Sequence, residues 1–190
     1  MKIYKVTHTM EAPGAYPVPD PDRFAREVLS KLRELKEDAE VGPFQLADHS
    51  RVGASFYKVS DSVLVFSEQV MHSEMGGMLC FSGNVHPSKL LDSGEEIFFL
   101  NVTAVYNCLN VGESYFRGLS GGEQKGVNDG IGIMRYAFFP KLIGDSAIFR
   151  IPQLSRTIFV QADGGSDDFH ALYHEAGLKG LDFAEVWSDE

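Results

Sequence analysis

Ala147-Ile-Phe-Arg-Ile-Pro152, Thr157-Ile-Phe-Val160, Ser166-Asp-Asp-Phe-His-Ala-Leu-Tyr-His-Glu-Ala-Gly177 and Leu178-Lys-Gly-Leu-Asp-Phe-Ala-Glu-Val-Trp187 follow one another in this chain. The first two segments read as apolar strands. In the third, Phe169, Leu172, Tyr173 and Ala176 recur at helical spacing and form one apolar face. Ser166 is the expected N-cap, and Asp167 and Asp168 sit where the helix dipole favours negative charge. Gly177 suits the left-handed position just past a helix end, with Leu178 as its apolar contact. Leu181 and Phe183 then alternate with polar residues, as in a half-buried strand. Strand, strand, helix and strand within one short stretch point to an α+β fold.

The rest of the chain extends this pattern. Lys2–Thr7 reads as a first strand. Residues 9–21 hold Pro13, Pro17, Pro19 and Pro21 and read as a loop. A helix is expected from Asp20 to about Asp38, with Pro21 at its first position and Phe24, Val28, Leu32 and Leu35 as its stripe. Strands are expected at Ser55–Val59, Ser62–Phe66, Gly130–Phe139 and Ala147–Ile151, and again at Thr157–Gln161. Pro140 to Asp145 reads as a turn between two of these. Ser67 is expected to cap a short helix that Gly76-Gly77 stops near Met75. Glu96–Val102 is so continuously apolar that burial on both faces is expected. The glycine-rich residues 117–130 read as a flexible loop. The expected architecture is one α+β domain over residues 1–190, with a mainly antiparallel sheet and a few helices. Residues 1–59 form its strand-loop-helix portion.

Composition narrows the function. At 190 residues, the chain can bury about 70% of its unfolded surface without metals or disulfides. Fourteen Phe and seven Tyr supply a rich aromatic core. Cys80 and Cys108 are the only cysteines and lie in apolar, strand-like surroundings, so both read as small buried hydrophobes. The start lacks the apolar run of a signal peptide, and no stretch approaches a membrane span; a cytoplasmic protein is expected. The net charge is −10. It falls entirely in residues 61–190, and residues 163–190 carry eight acidic side chains against Lys179 alone. This balance opposes nucleic-acid binding and favours basic partners through electrostatic steering.

The motifs that could carry chemistry lack their required context. Gly118-Leu-Ser120-Gly-Gly122 matches the G-x-S-x-G pattern, but the residues after Ser120 make a poor helix, which a nucleophile elbow needs. Leu119-Ser-Gly-Gly-Glu-Gln124 has no accompanying phosphate loop. Gly130-Ile-Gly132 misses the third glycine of a dinucleotide fingerprint, since position 135 is arginine. His170 and His174 lie four apart on the expected helix with Asp167 a turn earlier. A zinc protease motif would need glutamate where Ala171 stands. Both histidines read as half-exposed aromatics flanking the apolar face. Trp187 reads as a core residue of the last strand rather than an interface anchor. No catalytic, cofactor or metal site is expected.

Several segments together resemble a bacterial family, family eleven of the polymorphic-toxin immunity proteins. They are Val63-Leu-Val-Phe-Ser-Glu68, Phe98-Phe-Leu-Asn-Val102, Val105-Tyr-Asn-Cys-Leu-Asn110, Ile148-Phe-Arg-Ile151 and, most recognisably, Gly177-Leu-Lys-Gly-Leu-Asp-Phe183. The resemblance spans about residues 60–187. It implies a protein that neutralises a cognate toxin by binding it, with no catalytic residues to carry over. The exposed acids expected to meet a basic toxin are Asp163, Asp167 and Asp168. The competing readings are a small hydrolase or metal enzyme using Ser120 or His170/His174, and a regulatory or scaffold protein without a toxin partner.

Overall fold

Val65 and Phe66 are neighbours in one strand, so their side chains point to opposite faces of a sheet, yet both are fully buried. The fold follows from that requirement. The structure, a computed structural model, describes residues 1–19, 21–22, 24, 41–48, 53–117 and 132–189. The chain forms an α+β fold of mainly antiparallel sheets. One four-stranded sheet runs β4 (Phe56–Tyr57), β5 (Leu64–Ser67), β7 (Glu96–Val102), β6 (Gly83–Lys89) in spatial order. A second runs β10 (Ile148–Ile151), β11 (Leu154–Ala162), β1 (Lys2–His8), β12 (Leu181–Ser188). Every pairing within them is antiparallel. Two ribbons complete the strands: β2 (Ala15–Pro17) with β3 (Phe44–Leu46), and β8 (Tyr115–Phe116) with β9 (Ile133–Arg135).

Alternation along each strand sorts the core into three apolar clusters. Leu64, Phe66, Leu100 and Val102 of the first sheet meet Val6, Ile148, Ile158, Val160 and Leu181 of the second in a shared cluster. The opposite face of the first sheet, with Val65, Ile97 and Phe99, packs on Phe44 and Leu46 of the small ribbon. The opposite face of the second sheet, with Ile3, Phe149 and Phe159, packs on Cys108, Phe116 and Phe138. The strands β5, β7 and β10 are therefore buried on two faces, and they read as nearly continuous apolar runs although they are antiparallel. The run Glu96–Val102 behaves as expected: only Glu96 is exposed. Trp187 also packs inward, edge-on to Phe138 at 5.9 Å.

Three α-helices are described over their whole length: α1 (Glu68–Met71), α2 (Glu74–Ser82) and α3 (Phe169–Glu175). The first two differ from the sequence expectation. Ser67 makes no side-chain cap, and α1 ends at Met71. Ser73 caps a second helix by accepting from the Met75 amide, and that helix runs straight through Gly76-Gly77. Gly76 is there for closeness rather than for a stop. A Cβ on it would lie 1.9 Å from the Met71 carbonyl oxygen. Cys80 rides on this helix and is exposed, which corrects its reading as a buried strand residue. Cys108 is buried as expected, and burial pushes its thiol up to about 11.

Other differences are local. β6 pairs with β7 along its whole length but has too few apolar residues to announce a strand. Its Pro87 fits because β6 is an edge strand. Of the expected strand Gly130–Phe139, Ile133–Arg135 is strand among the described residues 132–139. Residues after it turn back, with the Phe139 amide donating to the Cys108 carbonyl at 2.7 Å. Residues 9–21 contain β2, which the prolines hid. The helix expected to run to Asp38 lies mostly outside the described residues. Pro21, Asp22 and Phe24 are helical, and Phe24 is buried edge-on to Phe44 and Phe99. Ser120 lies outside the described residues, so its elbow reading has no structural counterpart here. No helix among the described residues is long and apolar enough to cross a membrane.

Candidate binding surface around the last helix

The closing helix is built from both ends by backbone chemistry. Asp168, not Ser166, is its N-cap: Asp168 Oδ1 accepts from the Ala171 amide at 2.7 Å. The reason lies in the loop before it. Gly164 takes φ +88, which lets its amide donate to Asp168 Oδ2 at 3.3 Å. The chain turns there, two residues later in its effect than sequence spacing suggested. At the other end, the Leu178 amide donates to the Tyr173 carbonyl at 3.2 Å and the Gly177 amide to the His174 carbonyl at 3.1 Å. Gly177 takes φ +62. This is the Schellman arrangement that the glycine and its following leucine implied, and Leu178 is buried in the shared cluster.

Tyr173 then locks the helix to β12. Its hydroxyl donates to the Leu181 carbonyl at 3.1 Å and accepts from the Leu181 amide at 2.9 Å. Burial raises the phenol above its ordinary value, and the nearby Asp182 charge adds to the rise. Leu181 itself is 4% exposed, while Phe183 is half-buried against the same cluster.

Asp163, Asp167 and Asp168 come together on one turn. A Cβ on Gly165 would lie 2.7 Å from Asp167 Oδ1 and 3.0 Å from Asp163 Oδ1. Asp163 and Asp167 are exposed, Asp168 half-buried. Asp163 Oδ1 also accepts from the Gly165 amide at 2.8 Å. Two of the three carboxylates thus hold the loop backbone, and Asp167 is presented outward. Nothing in the sequence spacing distinguished these tasks, because all three precede the helix.

His170 and His174 are also brought together, with Nε2 atoms 3.2 Å apart. His170 stacks flat on Tyr4 at 4.3 Å. Burial lowers its protonation below the ordinary histidine value, helped by the charges of His174 and Lys2 and opposed by Asp168. Among the described residues no three His, Cys, Asp or Glu side chains gather as a metal-binding group. Beyond the helix end opens a cleft of about 640 Å³ between the Gly177–Leu181 turn, the segment after β1 and Ser55. Its lining includes Glu11, His174 and Lys179. Sequence reasoning missed this cleft, since it joins residues far apart in the chain.

A buried group near the same end of β1 also escaped the sequence reading. The His8 side chain is 2% exposed, and among the described residues neither ring nitrogen has a hydrogen-bond partner. Its Nδ1 lies 3.9 Å from Asp61 Oδ1. Burial holds the imidazole below its ordinary value; the Asp61 carboxylate pulls against this, and the Lys58 charge adds to it.

No protein-family model matches this chain, and no curated protein matches it.

Proposed function

We propose that this chain is an immunity protein that binds a bacterial toxin in the cytoplasm and blocks its active site or substrate path by occlusion. The observation that carries the reading is where the family-like segments lie. Four of the five segments, Val63–Glu68, Phe98–Val102, Ile148–Ile151 and Gly177–Phe183, are distant in sequence, while the fifth, Val105–Asn110, sends Cys108 and Leu109 into another cluster. Leu64, Phe66, Leu100, Val102, Ile148, Leu178 and Leu181, which the four contribute, nevertheless share one apolar cluster. Segments that resemble a family in order and also form one core support the resemblance better than scattered matches would. The acidic turn beside that core suits a basic toxin surface, where rim charges mainly raise the association rate.

Co-expression with the toxin encoded beside it tests the proposal. Rescue of growth through a direct complex is expected; absence of any complex with that toxin would sink it. Reversing Asp163, Asp167 and Asp168 to lysine tests the surface. Slower, less salt-sensitive association is expected, read alongside a melting curve, because Asp168 also caps α3. Unchanged association kinetics at two ionic strengths would move the contact elsewhere.

A further inference from the structure

One turn of α3 separates His170 from His174, and their Nε2 atoms meet at 3.2 Å. Two imidazole nitrogens bound to one tetrahedral zinc at about 2.0–2.1 Å lie about 3.3–3.4 Å apart. The pair therefore already has the bite of a chelate. The rings are also held in place. Tyr4 lies flat against His170, with the planes 7° apart. Phe183 abuts both rings, at 5.0 Å from His170 and 5.8 Å from His174. Little side-chain freedom is left to lose on binding a ligand. His174 is exposed, so the site is open on its outer side.

We propose that His170 and His174 form a two-ligand site for a borderline divalent transition cation of the Zn²⁺, Ni²⁺ or Cu²⁺ type, which imidazole suits. Without the cation, one ring donates its Nε2 proton to the other. Binding requires that proton to move to Nδ1 of the same ring, leaving both Nε2 lone pairs for the metal and both rings neutral. Among the described residues the site has no third protein ligand. Water, or a side chain of a docked molecule, completes the coordination, as at metal sites that keep an open position. The proposal is independent of the toxin-binding reading.

The chain offers its own control. His72 Nε2 lies 3.5 Å from Glu68 Oε1, also at four-residue spacing, but both side chains are largely exposed. Calorimetric titration of the chelator-treated full chain with NiCl₂ and with ZnCl₂ at pH 7.5 should give one saturable site, with none for Mg²⁺ or Ca²⁺. His174→Gln and His170→Gln should each abolish it, and His72→Gln should leave it unchanged. Binding should weaken as pH falls toward 5.5, because protons compete for the imidazoles. A melting curve of each variant checks folding, and exposed His174 can be replaced without opening the core. Absence of saturable Ni²⁺ and Zn²⁺ binding would overturn the proposal, as would binding that survives His174→Gln or disappears in His72→Gln.

Discussion

The two four-stranded sheets share a core but end differently. The β4-β5-β7-β6 sheet is closed in on both sides: β5 is buried at all four positions, and β7 at five of seven. Just after β4 the Lys58 amide donates to the Pro13 carbonyl at 2.8 Å, and at the opposite edge β6 carries Pro87. The β10-β11-β1-β12 sheet is equally buried at β10. Its last strand, β12, keeps only Leu181 fully buried and carries the acidic turn, the histidine pair and the cleft close by. The difference teaches where this molecule can lose side chains without losing its fold. The central strands β5 and β7 of the first sheet are nearly all interior, whereas the β12 edge is interior on one side and surface on the other.

The largest expected effect comes from the interior sheet. Phe99 is fully exposed to neighbours and not at all to solvent, so Phe99→Ala should destabilise the protein by about 3–5 kcal/mol. Denaturant unfolding measures it; a loss below about 1 kcal/mol would break the contrast between the sheets. At the other sheet, Leu181→Ala should cost about 2–5 kcal/mol, while half-buried Phe183 should cost less than Leu181. Equal losses at the two positions would show that β12 is packed as deeply as β7.

A pH experiment sharpens the same comparison. The His8 imidazole is held below its ordinary value of about 6.5. Below that pH the unfolded chain takes up a proton that the folded chain resists, so the stability is fully present above pH 6.5 and declines as pH falls. One such group changes stability by at most about 1.4 kcal/mol per pH unit. His170 is lowered in the same direction, so the total slope has two contributors. His8→Gln should flatten the slope between pH 7 and 5; a slope identical to that of the unaltered chain would remove His8 from the account. The smallest expected effect is at the surface: Asp168→Ala removes the α3 cap and should cost about 1 kcal/mol. Ser166→Ala, at the residue that does not cap, should leave the melting midpoint in place.

Local chemistry made several elements legible. Gly177 followed by Leu178 specifies a helix end through backbone groups within six residues, and the structure has that end. The strands at Glu96–Val102 and Ile148–Ile151 were readable because a strand buried on both faces is apolar nearly throughout, and Lys2–His8 was readable from Ile3 and Val6 set among polar residues. The same rule fails at β6, whose polar residues and Pro87 are tolerated because β6 is an edge strand. The α+β class and the apolar pieces of the core were thus determined by the sequence alone.

Tertiary structure decided what no window of sequence contains. Gly76 looked like a helix stop because glycine is a poor helix former; the close approach of the Met71 carbonyl, set by the fold of α1 onto α2, makes it a requirement instead. Cys80 looked buried because its neighbours are apolar, and the helix turns it outward. Asp168 rather than Ser166 caps α3, because the turn at Gly164 aims that carboxylate at two amides. The closeness of His170 and His174 follows from helical spacing, but the hold on them comes from Tyr4 on β1 and Phe183 on β12. Pattern determines which residues must leave water; only the folded chain determines which of them meet, because contacts between distant segments depend on how every strand and turn between them is placed.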